Sequence, residues 1–312
     1  MATLTAVPAA IPPRRAITVH RFLVLLAAFA SASLIVSIAI YGGAYYRAPL
    51  EDRALSPLHS QLRSSGTIGL KLGMLGVGLF AIIFLYPLRK RAKWLAGAGG
   101  TRYWLDFHVV AGITAPLVIT FHSAFHTQGV AGLAYWIMIA VALSGFIGRY
   151  VYAQIPRTLH SVTLSVGEME AQMSTLTEGL AHQDLISPAD LESLLRVPSA
   201  QEIKKMGLVR MLAIMLRADL SRPFLIGRMR RHALRRAHMI PTLGGLVASR
   251  NESVESIIAS VRRQSRLMLR MAFLHRTERV FHLWHVIHRP FSLSFVALIL
   301  IHIGVVLLLG YY

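Results

Sequence analysis

The chain has 312 residues, of which 54% are hydrophobic and 15% are charged, and its formal net charge is +19. Its mean hydropathy is positive, which indicates an integral membrane protein and not a water-soluble domain. It contains no cysteine, and this excludes cysteine-ligated iron–sulfur clusters, covalently attached c-type haem and disulfide bonds.

Five apolar segments reach the roughly 20 residues that a membrane-spanning helix requires. They are approximately Ile17–Tyr41, Thr67–Tyr86, Tyr103–Phe125, Gly129–Tyr152 and Phe281–Tyr311. The first is interpreted as a span and not as a cleaved secretory signal, because its apolar run is long and the sequence after it is a weak cleavage site. The sequence therefore predicts an all-α bundle of five transmembrane helices.

The predicted chain has three parts. Residues 1–152 carry the first four spans, residues 153–278 form a basic insertion, and residues 279–312 carry the fifth span. The insertion has helical periodicity and a helix start at Ser187-Pro188. It shows no glycine-rich nucleotide-binding motif. We expect a helical cytoplasmic insertion whose basic faces are solvated, contact lipid, or dock an acidic redox partner.

The basic residues indicate which ends of the spans face the cytoplasm. They gather before the first span, in the loop 89–102, and in the segment 156–278. With five spans these regions share one face, which the positive-inside rule assigns to the cytoplasm. We expect a multi-pass protein of the bacterial inner membrane, with a cytoplasmic N-terminus and a periplasmic C-terminus. No pattern typical of nucleic-acid binding is present, so the expected surroundings are membrane lipid.

One pattern occurs twice, in the third and the fifth span. Each copy has a tryptophan, a histidine four residues later, and a second histidine after fourteen more. Fourteen residues are close to four helical turns, so each histidine pair lies on one helix face, separated by about 21 Å along the axis. The two copies are Trp104, His108 and His122, and Trp284, His288 and His302.

The order of spans makes the third and fifth helices parallel. His108 is therefore expected to face His288 near the inner surface, and His122 to face His302 near the outer surface. An ionisable side chain inside a membrane is costly and suggests a functional role. Two layers of paired imidazoles suit two stacked haems, each held between two histidines. For any one histidine, the alternative to haem ligation is a hydrogen bond between helices.

Other residues have weaker predicted roles near these layers. His126 lies one predicted turn beyond His122 and is an alternative outer ligand. Three histidines are predicted to be interfacial, to bond haem propionates, or to border a quinone site: His20, His282 and His285. Three arginines are candidates for binding propionates, although each is also an ordinary positive-inside residue: Arg102, Arg149 and Arg289. The two tryptophans are interpreted as interface anchors.

Glycines are concentrated on faces of the predicted spans. One set lies on a single face of the second span and indicates close helix packing or room for a flat macrocycle; it comprises Gly66, Gly69, Gly73 and Gly76. A second set is interpreted as opening space for a porphyrin, and it comprises Gly112, Gly145 and Gly148.

The histidine pattern resembles that of the di-haem membrane cytochromes b. Two helices with two histidines each are similar to the cytochrome bc complexes, while ligands on the third and fifth spans are similar to the ferric reductase and NADPH oxidase membrane domain. The resemblance covers roughly residues 67–152 and 279–312. The sequence shows no flavin- and nicotinamide-binding domain and no sixth helix, which those reductases carry. The resemblance implies two b-type haems with His108, His122, His288 and His302 as ligands.

Three functions follow as hypotheses. The leading one is a di-haem b-type cytochrome subunit that carries electrons across the membrane between a quinone pool and a redox partner subunit holding iron–sulfur clusters, flavin or multiple c-type haems. The second is a transmembrane reductase of metal ions or oxygen, fed by a cytoplasmic flavoprotein. The third is a non-redox membrane scaffold or transporter. Haem iron with two histidine ligands has no open position, which favours electron transfer over oxygen binding.

Overall fold

The computed structural model describes residues 19–95, 97, 99–155, 193–194, 198–236, 245, 247–249 and 251–310. Throughout these residues the secondary structure is helical and no strand is present, so the predicted all-α fold is confirmed for the described part of the chain. The expected helix start at Ser187 lies outside the described residues.

Five of the described helices are long and apolar enough to cross a membrane, as the sequence predicted. They are α1 (Val19–Tyr41), α4 (Thr67–Arg91), α5 (Thr101–His122), α6 (Gly129–Gln154) and α10 (Leu274–Leu309). The shorter or more polar helices are α2 (Gly43–Arg47), α3 (His59–Leu62), α7 (Ala200–Lys205), α8 (Leu208–Arg236) and α9 (Glu252–Ala272).

The C-terminal end of α5 differs from the prediction. The predicted span continued to Phe125, whereas the helix ends at His122. Ala124 and Phe125 adopt positive φ angles of 46° and 62°, which reverses the chain. The Phe125 N–H donates to the Thr120 carbonyl at 3.2 Å, closing the last turn as helix ends commonly do. At the other boundary, α10 begins at Leu274 and so extends beyond the predicted fifth span.

The chain divides into two compact units. The transmembrane unit contains the described residues up to Arg149 and those from Trp284 onward, and the insertion unit contains the described residues from Tyr150 to Leu283. The sequence had placed these two boundaries at residues 152 and 278. Helices α6 and α10 each continue from one unit into the other, so the insertion unit is joined at both ends to a membrane-crossing helix.

From its polar sequence the segment between the first two spans, residues 42–66, is expected to be an irregular loop, but the structure shows an ordered segment. It contains α2, a 3₁₀ turn and α3. Tyr45, Tyr46 and Leu62 are buried there in one cluster with Ile38 of α1 and Val118 of α5. The apolar area that these side chains remove from water is what stabilises a short segment of otherwise polar composition.

Arg53 ties this segment to the end of α5. Its side chain is buried, with 7% exposure. It donates to the carbonyls of Tyr46 at 2.9 Å and Ala48 at 3.0 Å, and also to that of Ala124. A buried guanidinium requires such acceptors, because an unpaired charge in a protein interior is costly. Arg53 also holds Ala124, whose positive φ is otherwise unfavourable for a residue with a Cβ.

The insertion unit is built around α8 and α9, which pack face to face. Their shared core includes Ile226 and Met229 of α8 with Val254, Ile258 and Val261 of α9. The spacing of these buried residues follows the helical period, so each helix presents one apolar face to the other. Each of these two helices thus has an inner face, which contacts the other helix, and an outer face, which points away from it.

One polar network joins α8 to α9, and a second joins α8 to the end of α6. Arg230 of α8 forms a bidentate ion pair with Glu255 of α9, with N···O distances of 2.7 and 2.9 Å. The second network centres on Asp219, which accepts from Tyr150 at 3.0 Å and Gln154 at 2.7 Å and also pairs with Arg222. Burial raises the pKa of Asp219, but the hydrogen bonds from Arg222 and Gln154 outweigh it, and the pKa lies below its ordinary value.

Replacing Arg53 with alanine leaves three carbonyls without their donor. We expect Arg53→Ala to lower the free energy of unfolding by about 2–4 kcal/mol. Arg47→Ala is the matched control, because Arg47 is exposed and, among the described residues, its side chain bonds only the Gly43 carbonyl one turn earlier. Its cost should stay below about 0.5 kcal/mol. Thermal unfolding in detergent measures both, and equal melting temperatures for the two variants would contradict the role of Arg53.

Candidate functional site

Four histidines of the transmembrane unit lie in two layers. His108 and His122 are on α5, and His288 and His302 are on α10. The His288 imidazole lies within electrostatic range of His108, and that of His122 within range of His302. The structure therefore brings together the two pairs that the sequence predicted, and α5 and α10 run in the same direction. The ligand role of these residues stays a prediction.

The two histidines of α5 are held by backbone carbonyls of α4. His108 Nδ1 lies 2.9 Å from the Ile83 oxygen, and His122 Nδ1 lies 2.8 Å from the Gly69 oxygen. Like the two histidines, the two acceptors are fourteen residues apart along their helix. The antiparallel helices α4 and α5 thus remain in register over about 21 Å.

These contacts define which nitrogen of each ring is available. A carbonyl oxygen only accepts hydrogen bonds, so Nδ1 of His108 and of His122 must carry the proton. In a neutral imidazole the other nitrogen, Nε2, then has a free lone pair. Both rings are therefore oriented as metal-binding histidines usually are, with one nitrogen bonded to a protein oxygen and the other able to bind a metal.

Ser144 of α6 orients His288 in the same way. The Ser144 hydroxyl donates to the Val141 carbonyl at 2.7 Å, so it accepts the proton of His288 Nδ1, which lies 2.6 Å away. Nε2 of His288 is again the free nitrogen. The Trp284 ring stacks on the His288 ring with centroids 4.7 Å apart, and its Nε1 donates to the Ser144 carbonyl at 2.8 Å.

Trp284 therefore contacts protein and does not act as a plain interface anchor. Its indole also fills the space beside Gly148, where an added Cβ would lie 2.1 Å from the ring. The sequence interpretation of Gly148 as room for a porphyrin is wrong for this reason. Trp284, Ser144 and Gly148 together fix the position of His288.

His302 is the exception among the four histidines. It is half-buried on α10, and within the described part of the chain its ring forms no hydrogen bond. Its neighbours in sequence are apolar, from Leu298 to Val306. An imidazole in such surroundings loses hydration without recovering a hydrogen bond, and a polar side chain at this cost inside a span suggests a functional role.

The glycines of α4 serve helix packing. An added Cβ at Gly73 would lie 2.7 Å from the His122 ring, and one at Gly76 would lie 2.4 Å from Ile119. These two side chains of α5 therefore occupy the glycine face of α4, which supports the packing interpretation. At Gly112 and Gly145, by contrast, an added Cβ would meet no atom within 4 Å, so space is open beside these two residues.

An apolar cluster separates the two histidine layers. It contains Phe80, Ala115, Met138 and Phe295. Ala115 and Phe295 each lie seven residues from both histidines of their own helix, which places the cluster at the midpoint. The rings of Phe80 and Phe295 meet edge to face with centroids 4.8 Å apart. The cluster fills the centre of the bundle with side chains that exclude water.

The candidate arginines differ in their surroundings. Arg102 and Arg289 are exposed, whereas Arg149 Nη2 lies 3.7 Å from an Asp106 carboxylate oxygen. His20 Nε2 lies 3.1 Å from the other oxygen of Asp106. Sequence reasoning missed Asp106, although a carboxylate in an apolar span is itself a signal of a polar cluster. The cluster gives His20 and Arg149 a shared partner near the N-terminal ends of α1 and α5 and the C-terminal end of α6.

The remaining histidines do not join the two layers. His126 follows the chain reversal after α5 and is exposed, so the expectation that it shares a helix face with His122 is wrong. His282 and His285 are also exposed on α10. The described residues contain no cluster of three or more His, Cys, Asp or Glu that could hold a metal ion directly. In the described transmembrane unit, the paired imidazoles offer two metal-binding nitrogens to each layer.

Comparison with known proteins identifies no relative. No protein-family model, curated protein or solved structure matches this chain. The chemistry of the site therefore rests on the residues and contacts described above.

The glycine face of α4 allows a matched test. A Cβ at Gly73 collides with His122, whereas a Cβ at Gly78 meets no atom within 4 Å. Both substitutions by alanine gain about 1 kcal/mol of helix propensity. Gly78→Ala should therefore raise the thermal stability in detergent, and Gly73→Ala should lower it by about 1–2 kcal/mol through overpacking. Equal stabilisation by both would show that His122 is not fixed against α4.

Proposed function

We propose that this chain is a di-haem b-type cytochrome subunit, which carries electrons across a bacterial inner membrane between a quinone pool and a redox partner subunit. The observation that supports this most strongly is the pairing of imidazoles in two layers, with Nε2 left free on each ring that is hydrogen-bonded. His108 and His288 would hold the inner haem iron, and His122 and His302 the outer one.

The donor set fits haem b. Neutral imidazole is a common axial ligand of haem iron, and its Nδ1–H is usually bonded to a carbonyl or hydroxyl that orients the ring. The Ile83 and Gly69 carbonyls and the Ser144 hydroxyl supply three such acceptors. Open space lies beside Gly112, one turn from His108, and beside Gly145, next to Ser144.

Each group of residues has a distinct part in the proposed function. When bound between two histidines, haem b supplies a one-electron iron couple. The Nδ1 hydrogen bonds increase the donor strength of His108, His122 and His288. The cluster around Phe80 and Phe295 excludes water between the layers, which keeps the path for electrons from becoming a path for protons. With two histidines at each iron, no open position would remain for oxygen, and this favours electron transfer over a terminal reductase.

Exposed cations remain available for the haem propionates. Arg102 at the start of α5 and Arg289 beside His288 are exposed and suit this role in the inner layer. Arg149 is already paired with Asp106, which makes it the weaker candidate. The basic residues at the end of α4 and the start of α5 support a cytoplasmic inner face, with the N-terminus cytoplasmic and the C-terminus periplasmic.

A non-redox scaffold or transporter is the second candidate, and one observation favours it. Three of the histidines already have hydrogen bonds, as histidines with a purely structural role would. His302 argues against this alternative, because a structural histidine without a hydrogen bond costs stability and contributes none.

An optical spectrum tests the proposal directly. We expect the purified chain to contain two b-type haems, low-spin in both oxidation states, in a dithionite-reduced minus oxidised spectrum. Pyridine haemochrome quantification gives the ratio of haem to protein. Purified, folded protein without b-type haem, prepared with ample haem supply, would refute the proposal and favour the scaffold.

Single histidine variants test the two layers. We expect His302→Ala to lose the outer haem and His288→Ala to lose the inner one, so that each retains about half of the haem with a different midpoint potential. His126→Ala and His285→Ala are controls, because both side chains are exposed, and both variants should retain all haem. Retention of both haems in His302→Ala would overturn the assignment of the outer pair.

A further inference from the structure

The outer face of α8 carries a row of exposed apolar side chains. Val209 is 82% exposed, Leu216 47%, Leu220 63% and Phe224 68%. These residues follow one another at intervals of seven, four and four. At 100° per residue they fall within a sector of about 80° on the helix surface. Scattered apolar residues on a surface need no explanation, but an aligned row of four indicates a contact surface.

A row of arginines runs along one edge of the apolar row. The arginines are spaced at intervals of seven, eleven and seven, so they lie about 80–100° from Val209 around the helix. All four are exposed, and they are Arg210, Arg217, Arg228 and Arg235. Arg228 also donates to Ser193 at 3.2 Å. The outer face of α8 is thus an apolar row bordered by positive charge.

Packing among the described residues of the insertion unit does not account for this face. The inner face of α8 already contacts α9 through Ile226 and Met229. The outer face of α9 is different, because it carries exposed arginine, serine and alanine side chains without an apolar row: Ser256, Ala259, Ser260, Arg262, Arg263 and Arg266. Of these two helices, only α8 combines apolar and basic residues on its outer face.

We propose that the outer face of α8 binds an anionic bilayer surface. A helix whose exposed face combines apolar and basic residues lies in the headgroup region, with its apolar side chains in the acyl boundary and its arginines on lipid phosphates. The insertion unit continues directly into α6 and α10, so it is held at a bilayer by its own chain. Binding to that surface costs far less entropy than capture of a free partner. The proposal does not depend on haem.

Nitroxide labels test the contact, and the chain contains no native cysteine that would compete for them. Leu220→Cys and Phe224→Cys place labels in the apolar row, and Ala259→Cys places a control label on the outer face of α9. The whole chain is reconstituted in nanodiscs, one copy per disc, with either phosphatidylcholine alone or added phosphatidylglycerol. One copy per disc excludes a contact between two chains.

In discs with phosphatidylglycerol, we expect the two α8 labels to be more accessible to oxygen than to a water-soluble nickel chelate. The Ala259 label should show the reverse. Each arginine near an anionic surface favours the bound state about fivefold. The double variant Arg210→Ala/Arg217→Ala should therefore lower the ratio of membrane-immersed to water-exposed label at position 224 about 25-fold. The matched double variant Arg263→Ala/Arg266→Ala should leave it unchanged.

Three results would overturn the proposal. α8 labels that stay accessible to the nickel chelate in both lipids would show a solvated face. Labels shielded from both reagents in both lipids would show that protein covers the face. Immersion that is equal in both lipids and unaffected by the arginine substitutions would show that anionic lipid is not the ligand.

Discussion

The register between α4 and α5 is the constraint on which the transmembrane site depends. Two imidazoles on α5 bond two carbonyls on α4, and both the donors and the acceptors are fourteen residues apart. This match requires the helices to approach closely, which Gly73 and Gly76 permit because a Cβ at either would collide with α5. A shift of one residue would separate both bonds at once. The glycine face and the histidine spacing are therefore parts of one arrangement.

The features that could be predicted from sequence leave a regular pattern along the chain. The length of the apolar runs predicted the five spans, and the repeated interval of fourteen residues predicted two layers of histidines. The orienting groups have no such signature. The acceptors for His108 and His122 are backbone carbonyls, which any residue supplies, and Ser144 is an ordinary serine in an apolar helix. The order in residues 42–66 was missed because it depends on Arg53 and the Ala124 carbonyl, which are 71 residues apart.

Trp284 shows why residue type alone gave the wrong role. A tryptophan near the end of a span usually anchors the helix at the interface. Here the ring stacks on His288 and fills the space beside Gly148, and its Nε1 bonds the residue that orients His288. The information lies in the pairing of Trp284 with a glycine on another helix. A single sequence contains both residues but not their proximity.

The two histidine layers are held unequally, and this bears on the proposed electron path. Both inner histidines donate Nδ1 hydrogen bonds, to Ile83 and to Ser144. In the outer layer only His122 does, because His302 forms no hydrogen bond among the described residues. A hydrogen-bonded imidazole is the stronger electron donor to a metal, and a stronger donor favours the oxidised iron. In the proposed di-haem cytochrome, the inner haem would therefore have the lower potential, which would favour electron flow from the inner layer to the outer one.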